Sequence, residues 1–151
     1  MNVEKQFSIY MVNKPGVMAQ ILTELARAKI NINALTVMDS VEHGVLRVVC
    51  ESADKMRETL NQLNMQYNET EVLCVTIDNR PGAFAAIAEK LALAHINIAY
   101  AYVTAGAKGG KTTAVIKIAD VKKAIKVLGE SFELDSDSHQ AERRSPSARK
   151  G

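Results

Sequence analysis

Val12-Asn13-Lys14-Pro15-Gly16-Val17-Met18-Ala19-Gln20-Ile21-Leu22 and Asp78-Asn79-Arg80-Pro81-Gly82-Ala83-Phe84-Ala85-Ala86-Ile87-Ala88 open two copies of one pattern. Each copy runs on to Ile-Asn-Ile, at residues 30–32 and 96–98, and ends at Val37 or Val103. At a shift of 66, twelve of the 26 paired positions are identical without a gap, which marks an internal duplication rather than chance. The unit is a turn ending in Pro-Gly, a helix, then an Asn entering a strand.

The sequence around the repeat completes two similar halves. Residues 7–12 alternate and are rich in β-formers, which predicts a strand. Pro15 fixes φ, and Gly16 permits a conformation or a close approach that a side chain would block. A helix is expected over 17–29, with Val17, Ile21, Leu22, Leu25 and Ala28 on one face. Strands over 30–37 and 45–50 follow, then a helix over 53–63 with Met56, Leu60 and Leu63 inward, and a short strand over 65–70. The second half predicts a strand over 72–77 and a helix over 82–94 with Phe84, Ile87, Ala88 and Leu91 inward. Strands over 98–104 and 113–118 flank a glycine-rich loop at 105–111. A helix over 121–128 and a closing strand over 131–134 end the half.

Strand, helix, strand, strand, helix, strand is the split βαβ arrangement. The class is α+β: two tandem ferredoxin-like βαββαβ units with antiparallel sheets, over residues 1–70 and 71–134, without a linker. Residues 135–151 have nothing to bury and are expected to be disordered. A unit of about 65 residues buries only ~60% of its unfolded surface. The copies are therefore expected to pack on each other, and on another chain.

Composition narrows the function. At 47% apolar and 24% charged the chain reads as soluble and globular. A net charge of +2, low aromatic content and no Trp argue against a nucleic-acid face. Cys50 and Cys74 sit in apolar runs and read as buried thiols; no metal-ligand spacing exists, so neither metal nor cofactor is expected. No run is long enough to span a membrane and no leader is evident, so a cytoplasmic protein is expected.

The chemistry gathers at the repeats. Backbone N–H groups at a helix start favour an anion such as a carboxylate. An Asn amide offers donors and an acceptor, so it suits a zwitterion, although Asn also bonds locally at turns. A helix of about 13 residues is ~20 Å long, and the chain returns antiparallel to it. Asn31 and Asn97 then lie at the far end from their own turns, so a complete pocket is expected at an interface between units.

With these residues the chain resembles the ACT domain, a small amino-acid-sensing regulatory module, over about residues 4–134 in tandem. The resemblance implies effector binding at unit interfaces, through Asn13, Pro15, Gly16 and Asn31, and through Asn79, Pro81, Gly82 and Asn97. Val17, Met18, Ala83 and Phe84 would line the side-chain pocket. In a serine-binding variant of the family a His stands two residues before the turn Asn; here Met11 and Ile77 stand there, which implies a more apolar effector. The expected protein is a non-enzymatic regulator, a homodimer that binds a small amino acid. One rival is a regulatory subunit without its own ligand, serving an amino-acid biosynthetic enzyme such as acetolactate synthase.

A second rival rests on Ala105-Gly-Ala-Lys-Gly-Gly-Lys-Thr112, a loose match to a phosphate-binding loop. Such a loop must open a helix, whereas residues 113–118 alternate like a strand. By simple position, Gly44 of the first copy matches Gly110 in an ordinary hairpin. No nucleophile and base can be paired from spacing.

Overall fold

The computed structural model describes residues 1–39, 43–104 and 106–130. Its elements are β1 (Asn2–Val12), α1 (Val17–Arg27), β2 (Ile32–Met38), β3 (His43–Cys50), α2 (Ala53–Gln62), β4 (Gln66–Asp78), α3 (Ala83–Leu93), β5 (Ile98–Val103), β6 (Lys111–Ile118) and α4 (121–130). The strands form one antiparallel sheet in the order β2-β3-β1-β4-β6-β5. The expected closing strand over 131–134 and the tail lie outside the described residues.

Two strands are longer than the sequence pattern suggests. β1 starts at Asn2 rather than at residue 7, because β4 pairs along it from Asn2–Cys74 to Tyr10–Gln66. The two strands expected over 65–70 and 72–77 are one continuous strand, β4. Its first part pairs with β1 and its last part with β6, from Leu73–Ile116 to Asp78–Lys111. The expected boundary at 70/71 falls inside it. One strand thus closes the first unit and opens the second.

Each unit has its own core between sheet and helices. Phe7, Ile9, Leu46 and Val48 meet Ile21 and Leu25 of α1 and Met56 and Leu60 of α2. Leu73, Val75, Ala114 and Ile116 meet Ile87 and Leu91 of α3 and Ala124 and Leu128 of α4. Side chains alternate along a strand, so both helix pairs cover the same face. α1, α2 and α3 each end on a left-handed residue, Lys29, Asn64 and His95, where the next N–H bonds five residues back.

The helix-free face is curled on itself. Ala34 and Val49 of the first unit join Val72, Cys74 and Val115 in a third apolar cluster, with Tyr102 against it. Gln6 is fully buried there. Its Nε2 donates to Tyr100 Oη (2.6 Å), and Tyr102 Oη donates to its Oε1 (2.9 Å). Arg47 Cζ lies 3.9 Å from the centre of the Tyr100 ring, a stacking that is electrostatically favourable. β3 and β5 have three strands between them, so only a strong curl brings Arg47 to Tyr100.

Candidate functional site

The two Pro-Gly turns have nearly the same backbone. Gly16 has φ 87° and ψ −14°; Gly82 has φ 85° and ψ −13°. Lys14 N–H bonds Val12 O (2.8 Å) and Val17 N–H bonds Lys14 O (3.4 Å); the second turn repeats these at 2.9 and 3.3 Å. A Cβ on either glycine would meet nothing within 4 Å. Of the two reasons offered for these glycines, the conformation is the one that applies, since positive φ disfavours a side chain. Neither helix has a side-chain cap or an acidic residue in its first turn. The N–H groups of Met18, Ala19, Phe84 and Ala85 have no acceptor within their own helices. They leave two electropositive helix starts.

Asn31 and Asn97 are at the far ends of their units. β3 passes from His43, beside Val12, to Cys50, beside Ile32, a span of roughly 24 Å at ~3.4 Å per residue. β6 repeats this from Lys111, beside Asp78, to Ile118, beside Ile98. Asn31 is exposed, and its Nδ2 donates to Glu51 Oε1 (3.2 Å) and Asn33 Oδ1 (3.4 Å). Asn97 borders a cleft with Ile96, Ala99, Asp120 and Lys123 that includes no turn residue. The cleft at the second turn holds neither Asn31 nor Asn97. Within one unit, then, neither turn is brought to its own Asn.

The turn asparagines differ. Asn13 Nδ2 donates to Asp39 Oδ1 at 3.3 Å. Asn79 Nδ2 donates to the carbonyls of Gly106 (2.9 Å) and Ala107 (3.1 Å), and Asn79 N–H to Gly110 O (2.8 Å). Asn79 therefore pins the glycine-rich loop over its own turn. The sequence carried one signal for this, the habit of Asn to bond backbone near turns.

That loop carries no phosphate site of the kind its sequence suggests. Lys111 opens a strand, and its ammonium pairs with Asp78 across the ladder. The loop leads into a strand and opens no helix, so it lacks the strand-to-helix setting in which helix-start N–H groups face a phosphate. The Asp78–Lys111 rung corresponds to Val12–His43 of the first unit. The repeat shift is thus 68 in β6, because the second hairpin is two residues longer. The expected match of Gly44 to Gly110 is displaced, and Thr112 stands at the position of Gly44.

Side chains make the two turns electrically unlike. A cleft of about 160 Å³ at the second turn is walled by Asp78, Arg80, Lys90 and Lys111 over Ile77, Ile87 and Leu128. Lys111, by hydrogen bond and by charge, holds the Asp78 carboxyl below its usual range, with a smaller contribution from Arg80. The matching residues at the first turn are Val12, Lys14, Glu24 and His43. In the first unit Val12, Met18 and Met38 are exposed instead. Among the described residues no group of His, Cys, Asp and Glu could hold a metal, and no helix is long and apolar enough to cross a membrane.

The sequence profile of the ACT domain pair matches residues 1–135. A Bacteroides thetaiotaomicron protein of known crystal structure is 31% identical, with a TM-score of 0.80 over 86% of this chain and 89% of its own. The ligand-free regulatory subunit of aspartate kinase from Thermus thermophilus is 14% identical, with a TM-score of 0.63 over 87% and 98%. A structure of aspartokinase alpha and beta subunits matches at 21% identity and a TM-score of 0.56, over 88% and 98%. A search of curated proteins gave no match.

Proposed function

We infer a regulatory function from the fact that this chain belongs to the ACT domain pair family. It is a regulatory module with no catalytic step of its own. Its ligand is a small amino acid, bound where units of two copies meet in a homodimer. The helix-start N–H groups beyond Gly16 and Gly82 take the carboxylate. Asn31 and Asn97 of the other copy take the ammonium or the second carboxylate oxygen. Val17, Met18, Ala83 and Phe84 contact the side chain, with Asn13, Pro15, Asn79 and Pro81 shaping the turns. The observation that carries this reading is the separation of each uncapped turn from its Asn by the length of the sheet. A turn and the Asn of its own unit that act on one ligand must then come from different copies.

Occupancy would act through the sheet. β4 belongs to both units and Gln6 ties β1 to β5, so a shift of one unit moves the other. The exposed Val12, Met18 and Met38 of the first unit favour a second partner, an enzyme of amino-acid biosynthesis. In Thermus thermophilus the same fold is the regulatory subunit of aspartate kinase.

The test is thermal unfolding against the twenty amino acids. A ligand at 100 times its Kd adds ~2.7 kcal/mol, several degrees for a chain of this size. A rise is expected with one or two chemically related amino acids. It should vanish in Ala19→Asp/Ala85→Asp, whose exposed carboxylates suit a helix start but repel an anionic ligand. No rise with any amino acid would contradict the reading.

A further inference from the structure

The curl of the sheet encloses a second, unlike space. A trough of about 200 Å³ opens on the helix-free face, floored by the buried Ala34, Val49 and Cys74. Its walls are Asn2 and Glu4 of β1, Asn33 of β2 and Thr113 of β6. Both units contribute to it, and the bonds of Gln6 to Tyr100 and Tyr102 tie its strand β1 to β5 of the other unit.

The wall carries one formal charge, that of Glu4. No Lys or Arg borders the trough. Glu4 Oε1 accepts from Asn2 Nδ2, which leaves the second carboxylate oxygen. Asn33 Oδ1 accepts only a long bond (3.4 Å) from Asn31 Nδ2. The Thr113 hydroxyl adds an acceptor. The charge of Glu4 is felt at the floor: burial, and then Glu4, pushes the Cys74 thiol up to about 11, with the Met1 ammonium pulling the other way. An acceptor-rich, negatively charged mouth over an apolar floor repels a carboxylate. A single carboxylate is also too few ligands for a metal ion.

We propose that this trough binds a primary ammonium ion on a short aliphatic chain, with the ammonium on Glu4, Asn33 and Thr113 and the methylenes on Ala34, Val49 and Cys74. The site is separate from the interface site above and uses none of its turn residues. Because its walls come from both units, a bound amine stiffens the curl and is a second input to the same sheet.

The probe is n-butylamine at neutral pH, with butyrate as the anionic control, titrated into the full chain. Binding is followed by calorimetry and by amide and side-chain chemical shifts at Asn2, Asn33 and Thr113. The amine is expected to bind and butyrate not. Glu4→Gln, isosteric and half-buried, should weaken the amine by about ten-fold or more, the value of one charge-assisted hydrogen bond. Thr113→Val should weaken it less, and Ala19→Asp/Ala85→Asp should leave it unchanged. That last variant separates this site from the amino-acid site, since either can fail alone. Absence of shifts at the three residues, or equal affinity in Glu4→Gln, would overturn the proposal.

Discussion

The two Pro-Gly turns share a backbone to within a few degrees and share almost nothing of their surroundings. The first lies in a unit that exposes Val12, Met18 and Met38. The second is bound to its hairpin by Asn79 and flanked by the Asp78–Lys111 pair, Arg80 and Lys90. The contrast extends to the helix-free face. Gln6 and Arg47 of the first unit stand where the second has Val72 and Val115, and Tyr100 and Tyr102 stand where the first has Ala34 and Thr36. Pro and Gly fix a turn regardless of its neighbours. The neighbours are then free to leave apolar side chains exposed in one unit and to build a charged cleft in the other, and to make the two halves of the helix-free face complementary.

The cores should be the part that stays alike. Leu25 and Leu91 occupy the same position and are both fully buried. Leu25→Ala and Leu91→Ala should each cost about 3–4 kcal/mol. Because β4 is shared, each variant should still melt in one transition by calorimetry; two separated transitions would show that the units are independent.

The clamp comes next. Gln6→Leu strands two tyrosine hydroxyls on a curled face and should cost about 2–3 kcal/mol. Tyr102→Phe should cost less, and their cycle should show coupling. A near-neutral Gln6→Leu would mean that the curl holds without it.

Alkali should distinguish the units through Cys74, whose counterpart is Ser8. The unfolded thiol ionises near 9.0, the folded one near 11. Between those values the folded state holds the extra proton, so stability is fully present below pH 9 and falls as pH rises toward 11. The loss should be about 1–2 kcal/mol, moderated because the thiol borders an open trough. Cys74→Ala should shallow the slope in denaturant titrations across that window. Cys50, also raised by burial, should sustain the remainder.

How much of this was legible depends on the range of the interaction. The helices, their inward faces and the Pro-Gly turns rest on residues within a turn or two, and periodicity finds them. Asn2–Gln6 carries too little apolar pattern to read as strand; it is one because β4 lies beside it. The partners of Gln6 lie 94 and 96 residues away, beyond any local signal. The Asn31-to-turn separation was legible, since helix length and chain reversal fix it. The role of Asn79 was not, because a turn Asn can bond either a ligand or its own loop.

Two smaller effects sharpen the comparison. Gly16→Ala and Gly82→Ala should each cost about 1 kcal/mol, and equally, since only φ and not space opposes the methyl. Asn79→Ala should cost up to about 1 kcal/mol and speed amide exchange at Gly109 and Gly110, whereas Asn13→Ala should cost a few tenths. Equal costs for the two asparagines would remove the asymmetry between the turns.

The central claim is that each ligand site is shared between copies. Complementation tests it most directly. One variant carries Ala19→Asp/Ala85→Asp, with its helix starts blocked; the other carries Asn31→Ala/Asn97→Ala. Amino-acid binding is measured by calorimetry on each alone and on the two refolded together. The account predicts no binding by either variant and recovery in the mixture, where heterodimers join intact turns to intact asparagines. A folded dimeric mixture that binds no amino acid the unmodified chain binds would contradict it.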